Sequence, residues 1–167
     1  MNEIKLRLPL SPDDIQKLQI GDKVLLSGTM YTARDQAHKR FIKALRNNDD
    51  LPINFSQTAL FYCGPSPAAP GKICGAIGPT TSSRMDPYSR DILEAGLRVM
   101  IGKGDRSEEC EALIREYGGV YFIAIGGVSA VLSRCIVSCE TFLWQDLGAE
   151  AVHRMVVRDL PLYVGIV

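Results

Sequence analysis

Lys72-Ile73-Cys74-Gly75-Ala76-Ile77-Gly78-Pro79-Thr80-Thr81-Ser82-Ser83-Arg84-Met85-Asp86 is the stretch that decides the fold. Its apolar opening, Ile73 to Ile77, predicts a buried strand, and a helix is expected from about Tyr88. The hydroxyls of Thr80 to Ser83 and the guanidinium of Arg84 then fall in a turn at a strand's C-terminal end, where α/β sheets bind ligands. Hydroxyls and amides at a helix start suit an anion, and Arg84 can grip a carboxylate through two parallel hydrogen bonds. Taken alone, the segment fits a polar loop with a helix cap equally well.

The same alternation continues in both directions. Ile4 to Leu8 reads as a strand, and Ser11-Pro12-Asp13-Asp14 starts a short helix that ends near Gly21. Asp22 to Ser27 is expected to be a strand, and Thr32 to Leu45 a helix with the stripe Ala33, Ala37, Phe41, Ala44 and Leu45. Thr58 to Cys63 is expected to be a strand, followed by a rigid loop from Gly64 to Gly71. Ser89 to Leu97 and Ser107 to Tyr117 read as helices, each followed by a strand: Arg98 to Ile101, and the wholly apolar Val120 to Ile125, which suits the sheet centre. Ser129 to Cys139 fits helix or strand, and Met155 to Val157 and Leu162 to Val167 read as final strands. There is no internal repeat and no long linker. The prediction is an α/β fold: a single domain over residues 1–167 with a mixed sheet flanked by helices.

Bulk properties narrow the function. The 167 residues are 46% hydrophobic and 23% charged with zero formal net charge, so no broad basic surface points to nucleic acid. The longest uncharged run, Tyr117 to Ser133, is too short and too glycine-broken to span a membrane. The N-terminal residues lack the apolar core of a secretion signal, which points to the cytoplasm. Cys63, Cys74, Cys110, Cys135 and Cys139 lack the spacing of a zinc or ferredoxin-type site and read as free thiols, so no metal ligand is assigned to this chain.

Cationic spots recur where elements meet: Thr32-Ala33-Arg34-Asp35, Thr80 to Arg84, and Gly102-Lys103-Gly104-Asp105-Arg106. In a mostly parallel sheet they converge on one edge, where Arg34, Arg84 and Lys103 would hold a small dicarboxylate; the alternative is three unrelated solvated cations. His38, four residues after Arg34, either donates to a bound carboxylate or caps the helix surface. Gly102-Lys103-Gly104 is not a nucleotide phosphate loop, because Gly104 stands where Ser or Thr belongs. His153 reads as structural.

The ordered runs Ser27 to Arg40, Gly64-Pro65, Gly78 to Asp86 and Gly102-Lys103-Gly104 resemble the β subunit of class I fumarate hydratase. The same domain closes single-chain class I fumarases and forms the β subunit of L(+)-tartrate dehydratase. The resemblance implies a swivelling β/β/α-type domain. It also implies reversible hydration of fumarate to (S)-malate, or dehydration of L-tartrate to oxaloacetate; a stand-alone carboxylate-binding module is the alternative from another class. The cofactor implied is a [4Fe-4S] cluster ligated by a partner α subunit and not by this chain, in an α₂β₂ assembly, with a homodimer possible in isolation. By position, Thr80 matches the catalytic base and Lys103 a lysine beside it. Arg34 and Arg84 match carboxylate-binding arginines, and Thr81 and His38 join them as substrate-binding candidates. Ser83 departs from the pattern, which has glycine before the arginine.

Overall fold

The computed structural model describes residues 3–124 and 129–167; Ile125 and the Gly126-Gly127 pair lie outside them. The strands are β1 (Glu3–Arg7), β2 (Lys23–Thr32), β3 (Ala59–Phe61), β4 (Val99–Gly102), β5 (Val120–Ile123), β6 (Ile136–Leu143) and β7 (Val152–Ile166). The helices are α1 (Pro12–Gln16), α2 (Asp35–Arg46), α3 (Asp86–Glu94), α4 (Glu108–Glu116) and α5 (Ser129–Arg134). Among the described residues the strands form one mixed sheet in the order β1-β2-β3-β4-β5-β7-β6, with β2 also paired to β7. Strands β1 to β5 run parallel and β7 runs against both β2 and β5. The extra pairing closes β2, β3, β4, β5 and β7 into a ring. No helix among the described residues is long and apolar enough to cross a membrane.

Closure explains why the central strands are apolar on both faces. Ala59, Phe61, Val99, Ile101, Val120 and Phe122 point into the ring, with Leu160, Leu162 and Val164 of β7. Their alternates Leu60, Met100 and Tyr121 point outward into a second core under α2, α3 and α4. A strand buried on both sides reads as a continuous apolar run. Helix α2 covers that outer core with Ala37, Phe41 and Ile42. Phe41 is fully buried, edge-on to Phe55 at 5.3 Å between centroids and 5.2 Å from Trp144.

The structure corrects several expectations. Lys72 to Ile77 is not a strand: β3 pairs directly with β4, so the sheet has no slot for it. The segment folds back on the proline loop instead, with Ser66 N–H donating to Ala76 O (3.1 Å) and Gly75 N–H to Ser66 O (3.1 Å). Ile73 is 56% exposed, and only Ile77 enters the inner core. Strand β2 runs on to Thr32, because Tyr31 and Thr32 pair with Leu60 and Phe61; helix α2 therefore begins at Asp35 rather than Thr32. The ambiguous Ser129 to Cys139 stretch is both helix and strand. The two final strands are one, β7, bent where Asp159 takes a positive φ of 50°. Gly28 permits the matching irregularity in β2: its φ is 125°, and a Cβ there would lie 2.9 Å from Leu8 Cβ.

Phe41→Ala is expected to cost about 3–5 kcal/mol, the usual loss for emptying a buried phenylalanine site. Urea denaturation of the two proteins measures it.

Candidate functional site

The predicted site residues sit at the C-terminal ends of the parallel strands, but the Thr80 segment arrives there without a strand of its own. Backbone hydrogen bonds hold it. Thr80 N–H donates to Tyr62 O at 2.6 Å, and Ser82 N–H donates to Lys103 O at 3.0 Å. Pro79 bridges Cys63 and Thr81 bridges Lys103. The segment thus extends the ends of β3 and β4 before a 3-10 turn, Ser82–Met85, leads into α3. A Cβ at Gly102 would overlap Ser82 Oγ, so the first glycine of Gly102-Lys103-Gly104 is a seat for Ser82.

Behind the rim, a buried ion pair joins the two segments again. Arg106, whose side chain is 0% exposed, meets Asp86 Oδ1 at 2.6 Å. Its Nη2 donates to Ser89 Oγ at 2.9 Å, and its guanidinium lies over Tyr62 and Tyr121, 5.1 and 5.0 Å from their ring centres. The other oxygen of Asp86 accepts from Ser107 N–H at 2.8 Å, fixing the start of α4. The last residue of the Gly78 to Asp86 run is therefore a clamp on the Lys103 turn.

The first cationic spot joins through α2. Ala33 N–H donates to Phe61 O at 3.0 Å, which places Arg34 at the head of α2 beside the end of β3. The Arg34 side chain crosses Gly64, where a Cβ would lie 3.0 Å from Arg34 Cδ and 2.6 Å from Ala149 O. Asp35 Oδ2 accepts from Arg84 Nη2 at 2.7 Å. Arg34 Nε and Asp35 Oδ1 are shielded from solvent with no hydrogen-bond partner among the described residues, an uncommon state for buried polar atoms. Arg34 and Lys103 make no ion pair among the described residues.

Exposure separates the candidates. The Arg84 side chain is 52% exposed, Thr81 is exposed, and Arg34 and Lys103 are half-buried. Thr80 is buried at 9% exposure, and its hydroxyl has no partner among the described residues. His38 lies deeper, 2% exposed among Tyr62, Tyr88 and Phe41. Its Nδ1 is 2.8 Å from Arg34 O. A carbonyl only accepts, so Nδ1 carries the proton. Burial drives the His38 pKa down to about 4, against the raising effect of that carbonyl. A cavity of about 870 Å³ lies at the opposite rim, where Gln57, Gly96 and Gly119 precede β3, β4 and β5, and none of the candidates lines it.

Sequence reasoning missed Asp35, Ser82, Asp86, Arg106 and Tyr121. One signal was present for Asp86 and Arg106: each ends a cationic run and precedes a helix. Asp35 and Tyr121 left none, because their partners lie 49 and 39 residues away in sequence.

Residues 1–167 match the family described as Fumarase C-terminus. A Methanocaldococcus jannaschii protein named as an L(+)-tartrate dehydratase subunit beta is 34% identical over 162 residues, which cover 93% of this chain and 83% of that protein. Mitochondrial fumarate hydratase 1 of Leishmania major is 35% identical over 167 residues, covering 96% of this chain and 30% of the relative. Aerobic class I fumarate hydratase of Escherichia coli (strain K12) is 32% identical over 152 residues, covering 90% of this chain and 28% of the relative. The chain thus spans less than a third of the fumarate hydratases that it matches.

Two stability predictions follow from this geometry. His38 binds its proton less readily folded than unfolded, so the unfolded chain takes up more protons below pH 6.5. The His38 contribution is intact above about pH 6.5 and is lost as pH falls toward 4. From pH 7 to pH 5 it removes about 2 kcal/mol, and urea titrations at both pH values should show this part of the slope vanish in His38→Leu. Asp86→Ala should cost about 3–5 kcal/mol, because it leaves the Arg106 guanidinium buried and uncompensated. The shift of its urea midpoint measures that loss.

Proposed function

This chain belongs to the Fumarase C-terminus family, and on that premise we propose that it is the β part of a hydro-lyase that reversibly hydrates fumarate to (S)-malate. The observation that carries the reading is the convergence of the cationic junctions on one rim. Thr81 is bridged to Lys103, Arg84 is bonded to Asp35, and Arg34 crosses Gly64 beside them. The cytoplasm is the compartment that suits its five free cysteines.

In this reading Arg34 and Arg84 each receive one carboxylate of the four-carbon diacid. Thr80 takes the proton from the carbon next to the one that bears the hydroxyl. A threonine hydroxyl acts as a base only where cations favour its alkoxide; Lys103, bridged to Thr81 just past the end of β4, supplies that charge. Thr81 lines the open side of the site. His38 acts through Arg34, since its Nδ1 proton is committed to the Arg34 carbonyl. Asp35 shares Arg84 with the substrate and keeps the guanidinium from swinging away.

The cofactor implied is a [4Fe-4S] cluster, and this chain's own residues do not fit it. No three His, Cys, Asp or Glu side chains gather into a holding set among the described residues. Burial also pushes the Cys63 thiol well above its usual pKa, opposite to what a thiolate ligand needs. The resemblance places the cluster on a partner α subunit, in an α₂β₂ assembly. Arg34 Nε and Asp35 Oδ1, without a partner among the described residues, suit a site that a bound ligand completes.

A second reading, L(+)-tartrate dehydratase β subunit, is favoured by the match along 83% of the M. jannaschii protein. Assaying the enzyme assembled from both chains with fumarate and with L-tartrate separates the two. In that enzyme Thr80→Ala should lower kcat by about 100-fold or more while co-purification with the partner chain persists. Near-normal turnover would refute the assignment of Thr80 as the base.

A further inference from the structure

We propose that Tyr121 is a positioning residue that fixes the spacing between Thr80 and Lys103; the inference rests on reading those two as the reacting pair. Tyr121 lies on β5, outside both motifs, and is 1% exposed. Its hydroxyl is 2.7 Å from Gly104 O and 2.8 Å from Ser82 Oγ. It has one proton, and a carbonyl only accepts. Tyr121 therefore donates to Gly104 O and accepts from the Ser82 hydroxyl.

The result is a directed chain, Ser82 O–H to Tyr121 O–H to Gly104 O=C. Ser82 lies two residues after Thr80, and Gly104 lies one residue after Lys103. Ser82 is 0% exposed, so water is shut out of the Ser82 end of this link. The backbone bond from Ser82 N–H to Lys103 O (3.0 Å) joins the same segments on the main-chain side. The Tyr121 hydroxyl adds a side-chain attachment between that backbone bond and the Asp86–Arg106 clamp, nearer to Thr80 and Lys103 than the clamp is in sequence.

The Tyr121 ring is itself held. The Arg106 guanidinium sits 5.0 Å from its centre, and Asp86 anchors that guanidinium. Burial pushes the Tyr121 pKa up to about 12, so the donor to Gly104 persists through the neutral range. Replacing Tyr121 with phenylalanine removes the relay and leaves the ring and its cation contact in place.

The test uses the enzyme assembled with its partner chain. Tyr121→Phe should lower kcat about tenfold or more with KM within about twofold, because misplacing reacting groups slows chemistry more than it weakens binding. Ser82→Ala should give a similar loss, and the double variant should lose little more than either single one, as expected for two members of one link. In the chain itself, Ser82 amide hydrogen exchange should quicken in Tyr121→Phe while amides of Ile101 and Phe122 keep their rates. A hydroxyl that only packs would alter the melting temperature and leave kcat unchanged. If kcat stays within about twofold while Thr80→Ala abolishes turnover, the positioning role is wrong and the base assignment stands. If Thr80→Ala retains turnover, the base assignment fails and the positioning role falls with it. Should Tyr121→Phe fail to assemble, Ser82→Ala carries the same kinetic test.

Discussion

Two backbone hydrogen bonds, Thr80 N–H to Tyr62 O and Ser82 N–H to Lys103 O, govern the architecture around the site. The segment from Gly64 to Ala76 has no place in the sheet, so Thr80 is fixed by attachments close to it: the burial of Ile77, the bridge from Pro79 to Cys63, and these bonds. The bonds act by prolonging the ladders of β3 and β4 past their last strand residues. Their presence dictates nearby residue choices. Gly102 has to lack a Cβ because Ser82 occupies that space. Tyr62 and Tyr121 reach from the strands to the base of the same rim, where Arg106 lies against both rings.

The rim is stiff because the sheet beneath it closes. Strand β7 lies between β2 and β5, and its Tyr163 pairs with Lys23 on one side and Ile123 on the other. Each central strand is packed on its inner face by the ring core and on its outer face by α2, α3 and α4. Loops leaving such strands inherit little freedom. Binding residues on loops work best when a rigid scaffold sets their directions.

Local patterns were legible in the sequence. Ser11 and Asp14 form the reciprocal cap that Ser11-Pro12-Asp13-Asp14 suggested, at 3.1 and 2.9 Å. The apolar stripe of α2 and the two-sided strands could be read from periodicity, and the cationic spots from their places after strands. What escaped notice depends on partners distant in sequence. Lys72 to Ile77 has the composition of a strand, but strandhood needs a neighbour, and β3 and β4 had already taken each other. Met155–Val157 and Leu162–Val167 read as two strands, and in the sheet the single strand β7 carries both along β2. Asp86 stood at the end of a cationic run, but its partner Arg106 lies 20 residues on in sequence, so their pairing was not legible.

Ion pairing at the rim has an electrostatic consequence. Asp35 neutralises Arg84, and Asp86 neutralises Arg106. Arg34 and Lys103, both half-buried, make no ion pair among the described residues. A diacid docking there would place one carboxylate on Arg34 and the other on Arg84, which it shares with Asp35, whereas a monoacid would leave one of those guanidiniums unmatched in a partly desolvated setting. Valence discrimination of this kind arises from the internal carboxylates as much as from the guanidiniums, and it would weaken as salt screens the rim.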